Sequence, residues 1–309
     1  MPFIDVRAGR IHYEDTGGDG PVLLFLHGLA VHGALWRHVV AALRDGYRCV
    51  VPTLPLGSHR TPMRAGADLS LAGQARIVAE FVERLGVGPV TVVQNDGPVA
   101  LALAASRPDL VERLVLVSCE AYRGAPRRLL NRAAQAPGGL WLLFQALRLR
   151  GLRRMPPFGT RSRRAPAQVT DGWFRPLRSS WRNRRDLRSY LLSTTPGAVA
   201  EGTERLRAFD RPALVVWAFE DRGRPFSHGV RLAALLPQGR LVEIGDSATL
   251  IPEDQPRVLS LALRRFLEQT ASSPSPEQAA TSPTPVQAAP SFAEHEEAAP
   301  EWCSGAASS

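Results

Sequence analysis

The 309-residue chain is 44% hydrophobic, enough to bury a core in one large domain or two small ones. No apolar run approaches the roughly 18–20 residues needed to span a bilayer, and the N-terminus Met1-Pro2-Phe3-Ile4-Asp5 lacks the basic-then-apolar order of a secretory signal. Three cysteines (Cys49, Cys119 and Cys303) stand at no metal-ligand spacing. The expectation is a cytoplasmic protein with reduced thiols, no metal and no transmembrane segment.

The net charge of +9 is carried without lysine: all 38 basic residues are arginine. Between Arg123 and Arg188 there are 17 arginines against two acids, Asp171 and Asp186. Such a segment can draw anionic substrates or lipid headgroups by its field. It can equally be a solvated face whose arginine stems cover apolar surface. Nucleic acid is not expected as a partner, because no binding motif accompanies the charge.

Taken in chain order, Phe3–Val6 and Arg10–Glu14 flank Ala8-Gly9 and predict a hairpin. Val22–Leu26 is an unbroken apolar run, the pattern of a strand buried on both faces. A helix is predicted around Trp36–Leu43, a strand at Cys49–Val51, a helix over Leu69–Leu85 and a strand at Val90–Val93. Pro98–Ser106 reads as a helix with proline in its first turn, and Leu114–Val117 as a strand. From Tyr122 to about Arg205 the chain is helical and arginine-rich. Alternation then resumes with a strand at Ala213–Trp217, a helix near Ser227–Leu236, a strand at Arg240–Ile244 and a helix over Arg257–Leu267. Strands alternating with helices imply a mostly parallel sheet covered on both faces. From Thr270 to Ser309 the composition is Ala, Pro, Ser and Glu without a basic residue other than His295, which predicts a disordered acidic tail.

Three motifs follow predicted strands. His27-Gly28-Leu29 comes after the third. Gln94-Asn95-Asp96-Gly97-Pro98 joins a strand to a helix. Trp217-Ala218-Phe219-Glu220-Asp221 ends the strand that follows the helical stretch. A fourth segment, Asp246-Ser247-Ala248-Thr249-Leu250-Ile251-Pro252-Glu253-Asp254-Gln255-Pro256, comes near the end.

These motifs, in this order, resemble the α/β-hydrolase superfamily over about residues 3 to 268, with the nearest likeness to haloalkane dehalogenases and epoxide hydrolases, whose nucleophile is aspartate. The resemblance implies an α/β-hydrolase core over residues 1–121 and 206–269, an arginine-rich helical lid over 122–205 and a tail over 270–309. It implies that Leu29 and Gly97 offer backbone N–H groups to an oxyanion, that His27 and Gly28 shape the oxyanion loop, that Asp96 is the nucleophile and that Asp221 is the acid of the triad. It implies no cofactor.

The chain departs from the family where the proton carrier belongs, because Thr249 stands in place of the histidine. Threonine has no pKa suited to a base near neutral pH. Gln94 replaces the glycine usual two residues before the nucleophile, and Asp96 lies about two residues closer to Pro108 than in the family. Read from the residues alone, Asp96-Gly97 is equally a turn with an N-capping aspartate. Of the seven histidines, His59, in the loop Leu56-Gly57-Ser58-His59-Arg60, is the candidate to replace the missing base; its alternative role is a loop histidine bonded to backbone. The halide-binding side chains of dehalogenases are absent at Gly97 and Leu29. Tyr122 and Tyr190 lack the context of epoxide-hydrolase lid tyrosines.

The expected function is a hydrolase acting on a small ester, epoxide or alkyl halide through Asp96, with a degenerate triad. The alternative is a weak or inactive small-molecule binder on the same fold, and a third class is a protein-interaction module.

Overall fold

The computed structural model describes residues 1–119, 121–122, 127–149, 151–152, 162–221 and 223–271. Its centre is an eight-stranded sheet in the order β1-β2-β4-β3-β5-β6-β7-β8, comprising β1 (Phe3–Val6), β2 (Gly9–Asp15), β3 (Val22–Leu26), β4 (Arg48–Pro52), β5 (Val90–Asn95), β6 (Val111–Val117), β7 (Ala213–Ala218) and β8 (Gly239–Ile244). The first two strands pair antiparallel around the turn Arg7-Ala8, and β2 runs antiparallel to β4; β3 to β8 are all parallel. The apolar runs dictate this. Every residue of β5 and β7 is buried, as a strand with helices on both faces requires.

Helices fill the crossovers. α1 (Arg37–Leu43) follows a short 3-10 turn at Gly33–Trp36. α2 (Leu71–Leu85) starts two residues later than its periodicity predicts. The reason is a cap: the Ser70 hydroxyl accepts from Gly73 N at 3.1 Å, and Gly86 ends the helix in the left-handed region. α3 (Val99–Ser106) begins after Pro98 and carries apolar residues all round, so it is buried against both the sheet and α2.

Between β6 and β7 the chain leaves the sheet. The described helices of this insertion are α4 (Arg127–Gln135), α5 (Gly139–Ala146), α6 (Ala167–Ser179), α7 (Trp181–Ser193) and α8 (Pro196–Glu204). The chain returns through β7, α9 (Phe226–Leu235), β8, the short α10 (Ile251–Asp254) and α11 (Pro256–Ala271). Sheet and insertion belong to one compact unit ending at Thr270.

The insertion is tied to the core by buried polar contacts. Ser58 Oγ donates to the Trp173 carbonyl at 2.7 Å, and the His59 ring nitrogen Nε2 sits 3.1 Å from Asp186 Oδ2. Further along, Asp254 Oδ1 accepts from Ser162 Oγ at 2.6 Å and from the N–H groups of Arg163 and Arg164, each at 2.9 Å.

The acidic tail, expected from Thr270, lies from residue 272 onward outside the described residues, as does Cys303. Thr270 itself belongs to α11, where its hydroxyl receives the Arg113 Nε–H at 2.7 Å. Cys49 and Cys119 are buried free thiols. Among the described residues no helix is long and apolar enough to cross a membrane.

Candidate active site

The carboxyl ends of the parallel strands are where the backbone is strained. The four non-glycine residues with positive φ among those described are Ala30 (55°), after β3; Asp96 (58°), after β5; Ser118 (41°), after β6; and Asp246 (50°), after β8. L-residues visit this region at a cost of about 1–3 kcal/mol unless the surroundings enforce it, and such strain gathers at ligand sites. All four lie at the end of the sheet where open α/β folds bind ligands.

Asp96 sits at the tip of the turn between β5 and α3, and only about 5% of it is exposed. Two glycines make that turn possible. A side chain at Gly28 would lie 2.2 Å from the Asp96 carbonyl oxygen and 2.7 Å from Oδ2; one at Gly97 would lie 2.6 Å from Gln94 Nε2. The Asp96 turn therefore packs so closely on Gly28 that no side chain fits there. Gln94, where small residues are the family habit, is buried and turns its amide to structural use: Oε1 accepts from Ala100 N in the first turn of α3.

His27 is a loop-shaping residue in this geometry. Its Nε2 accepts from Leu54 N at 2.9 Å while Nδ1–H donates to the Gly28 carbonyl at 2.8 Å. Complete burial pushes its pKa down to about 4, so the ring is neutral near pH 7.

The residue that sequence reasoning misses is Arg224. It follows Asp221 by three positions, and its Nη2 forms an ion pair with Asp96 Oδ1. Its side chain is 11% exposed, so both charges are nearly removed from water. The loop holds it firmly: the Asp221 Oδ1 atom accepts from Gly223 N at 2.8 Å and Arg224 N at 3.1 Å, and the Arg224 carbonyl accepts from the Trp217 indole at 3.0 Å. A basic residue beside the expected acid in Asp221-Arg222-Gly223-Arg224 is the one sequence signal for it.

Thr249 lies in the loop between β8 and α10. Its hydroxyl donates to Asp221 Oδ2 at 2.7 Å, and its carbonyl accepts from Asn95 Nδ2 at 2.7 Å. Asp254 Oδ2 holds the same loop through Ala248 N at 3.0 Å. Asp96, Arg224, Asp221, Thr249 and Asn95 thus converge through a continuous set of contacts.

His59 does not join them. It is buried against Asp186 of the insertion, and Asn183 Nδ2 donates to its carbonyl at 2.5 Å. Burial pushes the Asp186 carboxyl up, but hydrogen bonds from His59, Met63 N and Arg185 outweigh it and leave the pKa below the ordinary value. His228 stacks edge-on against Tyr122 at 5.3 Å, away from this cluster's contacts.

A parallel sheet with a strained strand-to-helix turn, a glycine-backed loop after β3 and an acid after β7 defines an α/β-hydrolase architecture. Residues 21–256 match the alpha/beta hydrolase fold family, and the chain belongs to it. Haloalkane dehalogenase 2 of Mycobacterium bovis is 28% identical over 274 residues, covering 85% of this chain and 94% of that protein. The cis-3-alkyl-4-alkyloxetan-2-one decarboxylase of Xanthomonas campestris pv. campestris is 31% identical over 293 residues, covering 86% and 95%. Among solved structures, a thermophilic esterase from Thermogutta terrifontis matches with a TM-score of 0.64 at 24% identity, covering 87% of this chain and 98% of that one.

Proposed function

We propose that the protein acts on a small organic electrophile through Asp96 as nucleophile, and that it captures the electrophile faster than it releases product. The observation that carries this reading is the position of Asp96: paired with Arg224, at positive φ at the tip of the turn, and close to Gly28 in the loop after β3. Attack at the alkyl carbon of an alkyl halide or epoxide makes Asp96 an alkyl ester. The carbon–halogen bond breaks and halide leaves, or the ring C–O bond breaks and its oxygen takes a proton from water. Attack at the acyl carbon of an activated ester instead forms a mixed anhydride and expels the alkoxide. Backbone N–H groups of Leu29 and Gly97 would steady charge in that step.

Release is the slow half. Hydrolysis of the Asp96 ester needs a base to activate water, and Thr249 supplies a hydroxyl that is itself donated to Asp221. Losing one member of a triad leaves a residual rate, typically lowered by about 10⁴-fold or more. His59, held in the insertion anchor, takes no part in this scheme.

A second reading follows from the same missing base, and from the relative that acts on a four-membered lactone. If Asp96 opens such a ring at its alkyl carbon, the C–O bond breaks and a free carboxylate forms, which Arg224 can hold in place of Asp96. Loss of CO₂ with departure of the Asp96 carboxylate then yields an alkene. That sequence consumes neither water nor a proton, so it needs no histidine.

The test is incubation with alkyl halides, epoxides, activated esters and an oxetan-2-one, followed by intact-mass spectrometry and product assay. An adduct lost in Asp96→Asn supports the first reading. Alkene release from the lactone without an adduct, also lost in Asp96→Asn, supports the second. Neither adduct nor product, with a thermal shift on adding ligand, would make the protein a non-catalytic small-molecule binder.

A further inference from the structure

The insertion carries a second feature that the Asp96 site does not use. A cavity of about 480 Å³ opens on it, lined by Arg148, Gln168, Asp171, Arg175, Arg178 and Ser179. Three guanidinium groups face one carboxylate there. Arg178 Nη2 donates to Asp171 Oδ1 at 2.7 Å, while its Nε is buried and meets no hydrogen-bond partner among the described residues. A cavity lined by three guanidinium groups and one carboxylate is suited to a phosphate-type anion.

Exposed apolar side chains lie close in sequence to the residues that line this cavity. Gln145 Nε2 donates to the Arg178 carbonyl at 3.4 Å, which lays α5 against the end of α6. Leu142 and Leu149, each 64% exposed, flank Gln145 and Arg148 at seven-residue spacing. Trp181, 61% exposed, follows Ser179 by two residues, and the Arg182 guanidinium lies 5.6 Å from its ring centre. Trp141 is the only other exposed tryptophan among the described residues, and it precedes Leu142. A dissolved anion has no use for exposed tryptophan and leucine around its pocket; an anionic lipid surface uses both. The charge is segregated accordingly. Residues 123–188 carry +15 of a chain whose net charge is +9, leaving the remainder at −6.

We propose that this face of the insertion docks on an anionic phospholipid surface, with the cavity of Arg148, Arg175 and Arg178 taking a lipid phosphate and Trp141, Leu142, Leu149 and Trp181 entering the interface. The attachment is peripheral. It rests on no assumption about the chemistry at Asp96.

The experiment is co-sedimentation of the full chain with phosphatidylglycerol/phosphatidylcholine vesicles and with pure phosphatidylcholine vesicles, while tryptophan emission is recorded. The expected result is partitioning to the anionic vesicles only, with a blue shift, weakened by added salt. Arg175→Glu and the pair Trp141→Ser/Trp181→Ser, all at exposed positions, should each weaken it by about tenfold, and the second should remove the blue shift. No preference for anionic vesicles, or binding untouched by both variants, would overturn the proposal. So would thermal stabilisation by inorganic phosphate without vesicle binding, which would mark a site for a soluble anion. Retention by a DNA duplex without vesicle binding would overturn it as well.

Discussion

Thr249 donates its hydroxyl to Asp221 Oδ2 at 2.7 Å, so the acid expected to orient a histidine instead holds a side chain that cannot carry a proton away. The sequence resemblance puts the triad histidine at Thr249 and its acid at Asp221, and these two side chains are in contact. Thr249→His should therefore place an imidazole beside Asp221 and raise turnover of a captured ester by about 10²- to 10⁴-fold. Steady-state product formation by the folded variant checks this; an unchanged rate would mean that the loop cannot present a base to Asp96.

The ion pair of Arg224 with Asp96 is nearly buried. Arg224→Met should cost about 3–5 kcal/mol in urea denaturation, because it strands the Asp96 charge away from water. Adding Asp96→Asn should recover most of that loss. Strict additivity of the two single changes would show that the pair does not couple.

His59 and Asp186 anchor the insertion to the core. His59→Ala should lower stability by about 1–3 kcal/mol, since it leaves a buried acceptor less satisfied, and it should leave adduct formation at Asp96 intact. If capture disappears in the folded variant, His59 acts on Asp96 after all.

His27 gives a pH prediction with a fixed sign. Its folded pKa is about 4, below the ordinary 6.5, so the unfolded chain binds the extra proton first. Its burial costs no stability above pH 6.5, and stability falls as pH drops from 6.5 toward 4. By pH 5 the loss should be roughly 2 kcal/mol, from 1.36 kcal/mol per unit. Urea titrations of the wild type and His27→Gln at pH 7 and pH 5 should show a shallower loss in the variant; parallel losses would contradict it.

The sheet was legible because a buried parallel strand is an apolar run, and Val22–Leu26 and Ala213–Trp217 are both such runs. The boundaries moved where side chains cap: Ser70 delays α2, and Thr270 extends α11 into the stretch that composition assigns to the tail. The loops that carry Asp96, Asp221 and Thr249 could be located because each follows a predicted strand, β5, β7 and β8 respectively. Arg224 was not legible, because nothing in local sequence says that an arginine three residues past Asp221 reaches across to Asp96. His59 misled for a related reason. Its loop leaves the correct end of the sheet, but its partner, Asp186, lies 127 positions away, where only the insertion's packing brings it.

The most direct test is peptide-level mass spectrometry after exposure to a reactive alkyl halide or epoxide. Trypsin leaves Asp96 within residues 85–113, since Arg107 precedes proline. The account predicts an ester on Asp96 that persists in the wild type and is cleared in Thr249→His. A modification elsewhere in the peptide, or a wild type that turns over at full rate with no detectable ester, would contradict it.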